Sequence, residues 1–275
     1  MATSRAPLRF ADAVSATVSE SAKSGFFFDF DGTIAPILRD PAAVFPVPGA
    51  VERLRVLAGL VSRVAIVSAR PAAFLSDRFA AVPQVRLYGL YGMQTVVDGQ
   101  VRTDAEARPW APLMRDLAAD ALRDLPGEVL VEDKALLVAL HYRTAPALRG
   151  AVERWASTKA AELGLREQYG RMVVELRPPV EHDKGTVVER EAETLTRAWY
   201  FGDDLSDGRA FDVLRDRELR DPAFLGVRVA VANGETGDEL ARRADFTVSA
   251  PEDTPDLLDH VIGAFPGRSA RSYPG

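Results

Sequence analysis

Two aspartates follow a short apolar run near the start of the chain, and their spacing is the first sign of chemistry. Asp29 and Asp31 come after residues 25–28, which read Gly-Phe-Phe-Phe and have the character of a buried strand. Gly32 and Thr33 come next. Two carboxylates one residue apart repel each other, so this pair needs a compensating positive charge.

Other polar residues occupy similar places after later apolar runs. They are Ser68, Arg70, Lys184, Asp203, Asp204 and Asp207. The carboxyl ends of parallel strands meet at one edge of an open sheet, and ligands bind there. If these strands are neighbours, we expect the six side chains to converge with Asp29 and Asp31 on one point.

Such a cluster combines the groups that phosphoryl transfer needs. Several carboxylates together require a cation, and oxygen ligands favour a hard ion such as Mg²⁺. A lysine and a hydroxyl beside that ion suit an anionic phosphoryl group. One carboxylate can attack phosphorus, and a second can protonate the leaving oxygen and then activate water.

The pattern of apolar residues predicts the elements that must position this cluster. Six runs have the length and composition of strands, namely 25–30, 63–68, 85–92, 197–204, 227–233 and 245–249. Segments with helical periodicity lie between them, at 48–60, 208–219 and 237–244, and a helix is expected after Lys184. Strands that alternate with helices predict an α/β fold, a doubly wound parallel sheet of Rossmann-like type.

The middle of the chain has a different pattern. A helix is expected at 112–125, a hairpin at 126–144, a second helix at 145–163 and a strand at 170–178. This order is typical of an α+β unit. We therefore predict an inserted α+β domain at 107–181, and a discontinuous catalytic core formed by 1–106 and 182–275.

Four motifs in order resemble those of the haloacid-dehalogenase (HAD) superfamily of phosphatases. They are DFDGT at 29–33 with its preceding strand, SAR at 68–70, KG at 184–185 and GDDLSD at 202–207, and the likeness spans residues 26 to about 249. The resemblance implies a HAD-like fold whose cap, inserted between the second and third motifs, selects the substrate. It also implies that Asp29 is the nucleophile, and that Asp31 is the general acid and base and gives a backbone carbonyl to Mg²⁺.

The same resemblance implies roles for the remaining motif residues. Ser68 and Lys184 would hold the phosphate, and Asp203 would bind the metal together with Asp29. Asp204 and Asp207 would be further metal ligands or would support the ligands.

Segments of the insert resemble the trehalose-6-phosphate phosphatase family more narrowly. These segments are EDK at 132–134 and VELRP at 174–178, and GLYG at 89–92 matches a loop of the same family. The substrate contacts implied by the resemblance are Thr33, Arg70, Gly92, Glu132, Lys134, Arg143, Glu175 and Arg177. Three positions depart from the family pattern, namely Ala69, Tyr91 and Gly208. His141 is expected to have a structural role.

Other functions remain open at this point. The same mechanism could act on another sugar phosphate, of sucrose or glucosylglycerate type. A receiver-like module that carries a phospho-aspartate also combines acidic residues, a hydroxyl and a lysine on a doubly wound sheet. However, such a module needs neither the insert nor Asp31, which would hydrolyse the phospho-aspartate quickly.

Composition limits the partners and the compartment. The net charge is −6 and no basic stripe is evident, so we expect no binding to nucleic acid. There is no cysteine, which excludes disulfides, thiolate metal ligands and thiol nucleophiles. No apolar run approaches the 18 or so residues of a membrane span, and the first residues lack the continuous apolar core of a signal peptide, so we expect a cytoplasmic protein with no membrane partner. We also expect a monomer, and the resemblance implies a small sugar phosphate as the substrate. It could work alongside a trehalose-6-phosphate synthase.

Overall fold

The computed structural model describes residues 7–38, 40–170, 172–232 and 239–267. The strands within these residues are β1 (Ser24–Phe28), β2 (Arg63–Val67), β3 (Arg86–Gly89), β4 (Gln94–Val97), β5 (Gln100–Thr103), β6 (Leu130–Asp133), β7 (Val138–His141), β8 (Arg166–Gly170), β9 (Val173–Arg177), β10 (Arg197–Gly202), β11 (Leu225–Val231) and β12 (Phe246–Val248). The helices are α1 (Phe10–Ser19), α2 (Ala50–Ala58), α3 (Ala72–Arg78), α4 (Ala111–Asp124), α5 (Arg149–Leu163), α6 (Lys184–Ala192), α7 (Gly208–Arg220) and α8 (Thr254–Gly263).

The larger of two sheets has eight strands in the order β12-β11-β10-β1-β2-β3-β4-β5. Strands β12 to β3 in this order run parallel, and β4 and β5 form an antiparallel hairpin at one edge. The direction in which the chain adds strands reverses at β1, between β10 and β2. Such a switch point is where open parallel sheets bind their ligands.

Aromatic residues on β1 and β10 form the centre of this sheet. Side chains alternate between the two faces of a strand, so Phe26 and Phe28 lie on one face and Phe27 on the other. The Phe28 ring stacks on that of Phe201, with centroids 4.6 Å apart. All three phenylalanines of β1 are fully buried, and they anchor the strand that carries Asp29.

Helices cover both faces of the large sheet. Buried residues of α1, α2, α3 and α8 pack in the same cluster as Phe26 and Phe28. Those of α6 and α7 pack in the cluster that contains Phe27. The parallel sheet between two helical layers confirms the doubly wound α/β prediction.

The smaller sheet is antiparallel, with the strand order β6-β7-β9-β8. One of its faces packs on α4 and α5 through residues such as Leu140, Val174 and Met114. Its elements fall within the predicted insert, whose boundaries at 107 and 181 stay a prediction.

A further apolar cluster joins the two sheets. Leu90, Tyr91 and Met93, which follow β3 in the large sheet, pack with Leu137 and Ala139 from the β7 region of the small sheet. The face of the small sheet that does not contact α4 and α5 is therefore turned towards the large sheet.

Several elements were missed by the sequence predictions or differ from them. The β4–β5 hairpin, strand β8 and helices α1, α3 and α8 were not predicted. The predicted strand at 85–92 is β3 followed by a tight turn, because Leu90, Tyr91 and Gly92 all have positive φ.

The helix predicted at 237–244 is wrong for its described part. Residues 239–244 contain only a 3₁₀ turn, Ala241–Arg243, which leads into β12. This segment is too short for its periodicity to specify an α-helix. Residues 233–238, which include the end of the strand predicted at 227–233, lie outside the described residues.

In the part of the chain that the structure describes, no helix is both long enough and apolar enough to cross a membrane.

Truncation of Phe28 should destabilise the fold strongly, because its ring fills the centre of the sheet. We expect Phe28→Ala to lower the free energy of unfolding by about 3–5 kcal/mol, measured by urea denaturation. The control is Leu219→Ala, since Leu219 is 75% exposed and its loss should change stability by about 0.5 kcal/mol or less. Equal losses in the two variants would contradict this account of the core.

Candidate active site

A cavity of about 730 Å³ lies between the carboxyl ends of β1, β2 and β10 and the free face of the small sheet. From the large-sheet side it is lined by Asp29, Asp31, Ser68, Arg70, Lys184, Asp203 and Asp204. From the small-sheet side it is lined by Glu132, Lys134, His141, Arg143 and Glu175. The structure thus brings together most of the sequence-predicted site residues, from segments far apart in the chain.

Lys184 lies at the centre of the acidic cluster. It is the first residue of α6, whose start is fixed by a capping box between Asp183 and Thr186. Its Nζ is 3.1 Å from Asp29 Oδ2 and 2.8 Å from Asp207 Oδ1. Burial alone would lower the pKa of Lys184, but the charges of Asp207 and Asp29 outweigh burial and raise the pKa, so the ammonium stays charged.

Both carboxylate oxygens of Asp207 are occupied by hydrogen bonds. Oδ1 accepts from Lys184 Nζ and from the Tyr200 hydroxyl at 2.7 Å. Oδ2 accepts from the backbone N–H groups of Asp203 and Asp204 at 3.0 and 3.1 Å. Asp207 is fully buried and does not line the cavity, so its carboxylate holds the lysine and the 203–204 backbone in place.

The buried carboxylates are close enough to share a cation. Among the described residues, Asp29, Asp203 and Asp207 each offer an oxygen within 4.8 Å of the others. Burial raises the pKa of Asp29 and of Asp203, and the neighbouring carboxylates raise both further, although Lys184 opposes the shift. A donor set made only of carboxylate oxygens, with more negative charge than one lysine offsets, fits a hard divalent cation.

Gly32 allows Asp203 to approach the loop that follows β1. Its φ is +76°, and a Cβ at this position would lie 2.1 Å from Asp203 Oδ2. Thr33 is buried beside it, and its hydroxyl is 3.5 Å from Asp203 Oδ1. The glycine and threonine of the first motif therefore shape the carboxylate cluster, and Thr33 does not line the cavity.

Asp31 and Arg70 form a two-pronged ion pair at the edge of the cavity. Arg70 Nε donates to Asp31 Oδ2 at 2.7 Å and Nη2 donates to Oδ1 at 2.6 Å. Burial alone would lower the pKa of Arg70, but the hydrogen bonds and charge of Asp31 raise it. The ion pair therefore restricts rotation of the Asp31 side chain. Arg70 contacts the residue predicted to be the general acid and base.

Ser68 is buried where β2 ends. Its backbone N–H donates to Tyr88 O at 2.9 Å, and its Oγ accepts from the Arg70 N–H at 3.2 Å. Only the hydroxyl remains to face the cavity. This placement gives a fixed donor close to the acidic cluster.

The register of the small sheet explains which of its residues face the cavity. Glu132 pairs with Ala139, which pairs with Glu175, so these three lie on one face of the sheet. His141 lies two residues along β7 on the same face, and its Nε2 is 3.0 Å from Glu132 Oε2. Lys134 Nζ is 2.8 Å from Glu175 Oε1. The wall opposite the acidic cluster thus offers a dense set of hydrogen-bonding groups.

The charge of Glu132 is stabilised within this wall. Burial alone would raise the pKa of Glu132, but the hydrogen bond with His141 and the charge of Lys134 bring the pKa below its ordinary value. This carboxylate is therefore an acceptor for ligand hydroxyl groups at neutral pH.

Two predicted substrate contacts lie behind the cavity wall. A Cβ on Gly92 would lie 2.4 Å from Val187 Cγ2, so the close approach of Gly92 is to α6. Arg177 is buried, and its Nη2 donates to His182 O. Neither residue lines the cavity.

Tyr91 and His141, which both line the cavity, were not among the predicted site residues. Tyr91 was noted only as a departure from the family loop, and His141 was expected to be structural. The alternation of side chains on β7 could have indicated that His141 faces away from the small-sheet core, because Val138 and Leu140 both face that core. The role of Tyr91 depends on contact with Glu175, which lies 84 residues away in the chain.

Solved structures with the same architecture define the class of this fold. A haloacid-dehalogenase-like hydrolase from Bacteroides thetaiotaomicron matches with a TM-score of 0.55 at 14% identity, over 86% of this chain and 99% of that one. The C-terminal domain of C. albicans trehalose-6-phosphate phosphatase matches with a TM-score of 0.74 at 23% identity, over 95% and 99% of the two chains. At these identities the likeness concerns the fold alone, which is that of HAD-like hydrolases.

Sequence comparison gives the family. The sequence model of the trehalose-phosphatase family matches residues 27–247, so this chain belongs to that family. The trehalose-phosphate phosphatase of Mycobacterium avium (strain 104) is 35% identical over 247 residues, which are 86% of this chain and 61% of the relative. The protein of the same name from Mycobacterium tuberculosis (strain H37Rv) is 34% identical, over 86% and 60% of the two chains. The chain spans about three fifths of the length of these curated relatives.

Gly32→Ala should weaken cation binding, in addition to the loss of stability that its positive φ causes. Gly99 is the matched control, since its φ is +73° but no atom lies within 4 Å of an added Cβ. Both substitutions should cost about 1–2 kcal/mol of stability from the left-handed backbone. With Mg²⁺ as the probe ion, wild type and Gly99→Ala should rise in melting temperature and Gly32→Ala should not, measured by thermal unfolding with and without the ion. An equal rise in Gly32→Ala would contradict the proximity of Gly32 and Asp203.

Because the pKa of Asp203 is raised, this carboxyl group should lower the free energy of unfolding of the metal-free protein by an amount that depends on pH; we call this amount the penalty. A carboxyl group whose pKa is raised on folding binds its proton more tightly in the folded state than in the unfolded chain. The penalty is therefore absent below the ordinary pKa of about 3.9 and grows as pH rises from there towards the raised value.

Asp203→Asn removes this penalty. In the presence of a chelator, the variant should match wild type near pH 4 and exceed its melting temperature by about 3–6 °C near pH 8. Asp116→Asn is the control, because that side chain is 79% exposed and should give no pH-dependent difference. If the difference in melting temperature between Asp203→Asn and wild type stays constant or reverses with pH, the charge of Asp203 does not destabilise the metal-free protein.

Proposed function

We propose that this protein is a Mg²⁺-dependent phosphatase that hydrolyses trehalose 6-phosphate to trehalose and phosphate through an aspartyl-phosphate on Asp29. The observation that carries the proposal is the cavity itself, in which an acidic cluster around Lys184 faces a wall of carboxylate, ammonium and imidazole groups. The first side suits a metal-assisted phosphoryl group, and the second suits the hydroxyls of a sugar. The family of the chain and the names of its relatives support the same substrate.

The cation would be held by a subset of the acidic residues. Asp29 and Asp203 offer their carboxylates, Asp31 its main-chain carbonyl and Asp204 a further oxygen. When bound, Mg²⁺ supplies positive charge that offsets the carboxylates and the phosphoryl oxygens. Asp207 is already committed to Lys184, Tyr200 and two backbone N–H groups, so we assign it a supporting role.

The chemistry takes place between Asp29 and Asp31. An oxygen of Asp29 attacks phosphorus, the bond from phosphorus to the sugar oxygen breaks, and protonated Asp31 donates its proton to that oxygen. Asp31 then accepts a proton from water, whose oxygen attacks the aspartyl-phosphate and releases Asp29 and inorganic phosphate. Ser68 and Lys184 donate hydrogen bonds to the phosphoryl oxygens during both steps.

Arg70 takes part by its pairing with Asp31. The ion pair of the described state has to separate before Asp31 can transfer a proton. Arg70 then becomes available to the incoming phosphate, as expected for a substrate-binding residue. Arg70 would therefore exchange its contact with Asp31 for a contact with the substrate.

The small sheet would select the sugar. Glu132 and Glu175 accept hydrogen bonds from hydroxyls, Lys134 donates to sugar oxygens, and Arg143 extends the wall. The cavity volume of about 730 Å³ is within the range of about 300–1,000 Å³ that proteins use for small ligands. Arg177 would act from behind the wall, and Gly92 and Thr33 would shape the loops around it.

We assign catalysis to residues 1–106 and 182–275 and sugar selection to the cap at 107–181. The protein would act in the cytoplasm as a monomer, with trehalose-6-phosphate synthase as the source of its substrate. Movement of the cap would admit the substrate and then exclude water from the phosphate.

Release of inorganic phosphate from a panel of sugar phosphates tests the substrate. We expect trehalose 6-phosphate to be hydrolysed with the highest kcat/KM, and sucrose 6-phosphate and glucose 6-phosphate at least about ten-fold less well, because discrimination by buried polar groups is strong. A chelator should abolish the activity and Mg²⁺ should restore it. Preference for sucrose 6-phosphate would overturn trehalose 6-phosphate as the substrate and leave the phosphatase mechanism in place.

Asp29→Asn tests the mechanism, because an amide cannot form the aspartyl-phosphate. We expect kcat to fall on the order of 10⁴-fold or more while the fold is kept. The control is Asp77→Asn, since Asp77 is 80% exposed on α3 and should keep wild-type activity. Substantial turnover by Asp29→Asn would refute Asp29 as the nucleophile.

A further inference from the structure

Tyr91 connects the two walls of the cavity directly. The residue belongs to the turn after β3 in the large sheet, yet its hydroxyl donates to Glu175 Oε2 in the small sheet at 2.6 Å. Its side chain is buried, with 6% of the residue exposed. The predicted roles of the site residues do not include this contact.

Glu175 is held from two sides. Lys134 Nζ approaches Oε1 at 2.8 Å, while Tyr91 occupies Oε2. Each carboxylate oxygen keeps a second lone pair, which can accept a hydrogen bond from a sugar hydroxyl. Burial and the charge of Glu175 raise the pKa of Tyr91 well above its ordinary value, so the phenol remains a proton donor across the working pH range.

The backbone of Tyr91 is fixed to the phosphate side of the cavity. Its N–H donates to Ser68 O at 2.9 Å, and the N–H of Leu90 donates to Arg70 O at 2.9 Å. Leu90 and Tyr91 have φ values of +48° and +60°, which residues with side chains adopt only when their surroundings enforce it. The Arg177 guanidinium lies 5.1 Å from the centre of the Tyr91 ring and packs against it. One residue thus links the backbone at Ser68 to the carboxylate of Glu175.

We propose that Tyr91 is a positioning residue that sets Glu175 relative to the phosphate site and thereby makes the enzyme selective for sugar phosphates over simpler phosphate esters. A substrate that spans the cavity needs the sugar-binding carboxylate at a fixed distance from Asp29 and Ser68. A small ester needs only the phosphate side. This inference rests on the proposed function and adds to it a residue that joins the phosphate side of the cavity to the sugar side.

The test compares two substrates in three forms of the protein. The kcat and KM values are measured for trehalose 6-phosphate and for phenyl phosphate, with wild type, Tyr91→Phe and Tyr88→Phe. Tyr91→Phe keeps the ring and removes only the donor. Tyr88→Phe is a matched control, because the Tyr88 hydroxyl donates to buried Glu191 at 2.6 Å and Tyr88 does not line the catalytic cavity.

We expect Tyr91→Phe to lower the ratio of kcat/KM for trehalose 6-phosphate to that for phenyl phosphate by about 10- to 100-fold, the effect of a lost hydrogen bond to a charged group. Most of the change should be a higher KM for the sugar phosphate. Tyr88→Phe should leave the ratio within about two-fold of wild type while losing a comparable amount of stability.

Three outcomes would overturn the inference. Unchanged kcat/KM values for both substrates in Tyr91→Phe would make the contact merely structural, and an equal fall for both substrates, which leaves the ratio unchanged, would place the effect at the phosphate. A wild type that hydrolyses phenyl phosphate but not trehalose 6-phosphate would refute the proposed function and the inference with it.

The ratio does not depend on the fraction of folded protein, and a double-mutant cycle tests whether Tyr91 acts through Glu175. If Tyr91 acts through Glu175, adding Tyr91→Phe to Glu175→Ala should lower the ratio by less than two-fold further. A full additive loss in the double variant would show that Tyr91 acts independently of Glu175.

Discussion

The buried acidic cluster around Lys184 is the constraint on which the rest of the structure depends. Asp29, Asp203 and Asp207 are buried, each offers a carboxylate oxygen within 4.8 Å of the others, and one ammonium offsets only part of their charge. Carboxylates at such distances repel each other strongly, so only a rigid frame can keep them together without a cation. The stacked aromatic residues of β1 and β10, the capped start of α6 and the fully bonded carboxylate of Asp207 provide that frame. In our account, this repulsion would favour the binding of a divalent ion.

In the proposed function, the two sheets divide the chemistry from the selection of the substrate. The strand ends of the large sheet would supply groups that any phosphate ester could use, whereas the small sheet would present Glu132, Lys134 and Glu175 to the group attached to the phosphate. The two sheets are joined by the apolar cluster around Leu90 and by the hydrogen bond from Tyr91 to Glu175. In our account, the same catalytic cluster could serve other substrates with a different small sheet, and the chain's selectivity depends on how firmly the two walls are joined.

Sequence reasoning predicted the parts of this molecule that follow from local pattern. The parallel sheet, its helical layers and the placement of Asp29, Ser68 and Asp203 at strand ends could be predicted because each follows a distinct apolar run. Long-range side-chain pairing could not, since no local pattern reveals that Arg70 binds Asp31 or that Tyr91 reaches Glu175. The wall that Glu132, Glu175 and His141 share could not be predicted either, because it requires the register between β6, β7 and β9. The β4–β5 hairpin was missed because its strands are short, half-exposed and polar on both faces.

Calorimetric titration of Mg²⁺ into the metal-free protein tests the central claim most directly. The titration is run near pH 6 in two buffers that differ in ionisation enthalpy, so that proton release can be counted. Burial raises the pKa of Asp29 and Asp203, so the metal-free site binds protons more tightly than free carboxylates do, and a bound cation competes with those protons. The account predicts that Mg²⁺ binds with net proton release, and that Asp203→Asn loses both the binding and the release. Binding without proton release, or equal binding by Asp203→Asn, would contradict it.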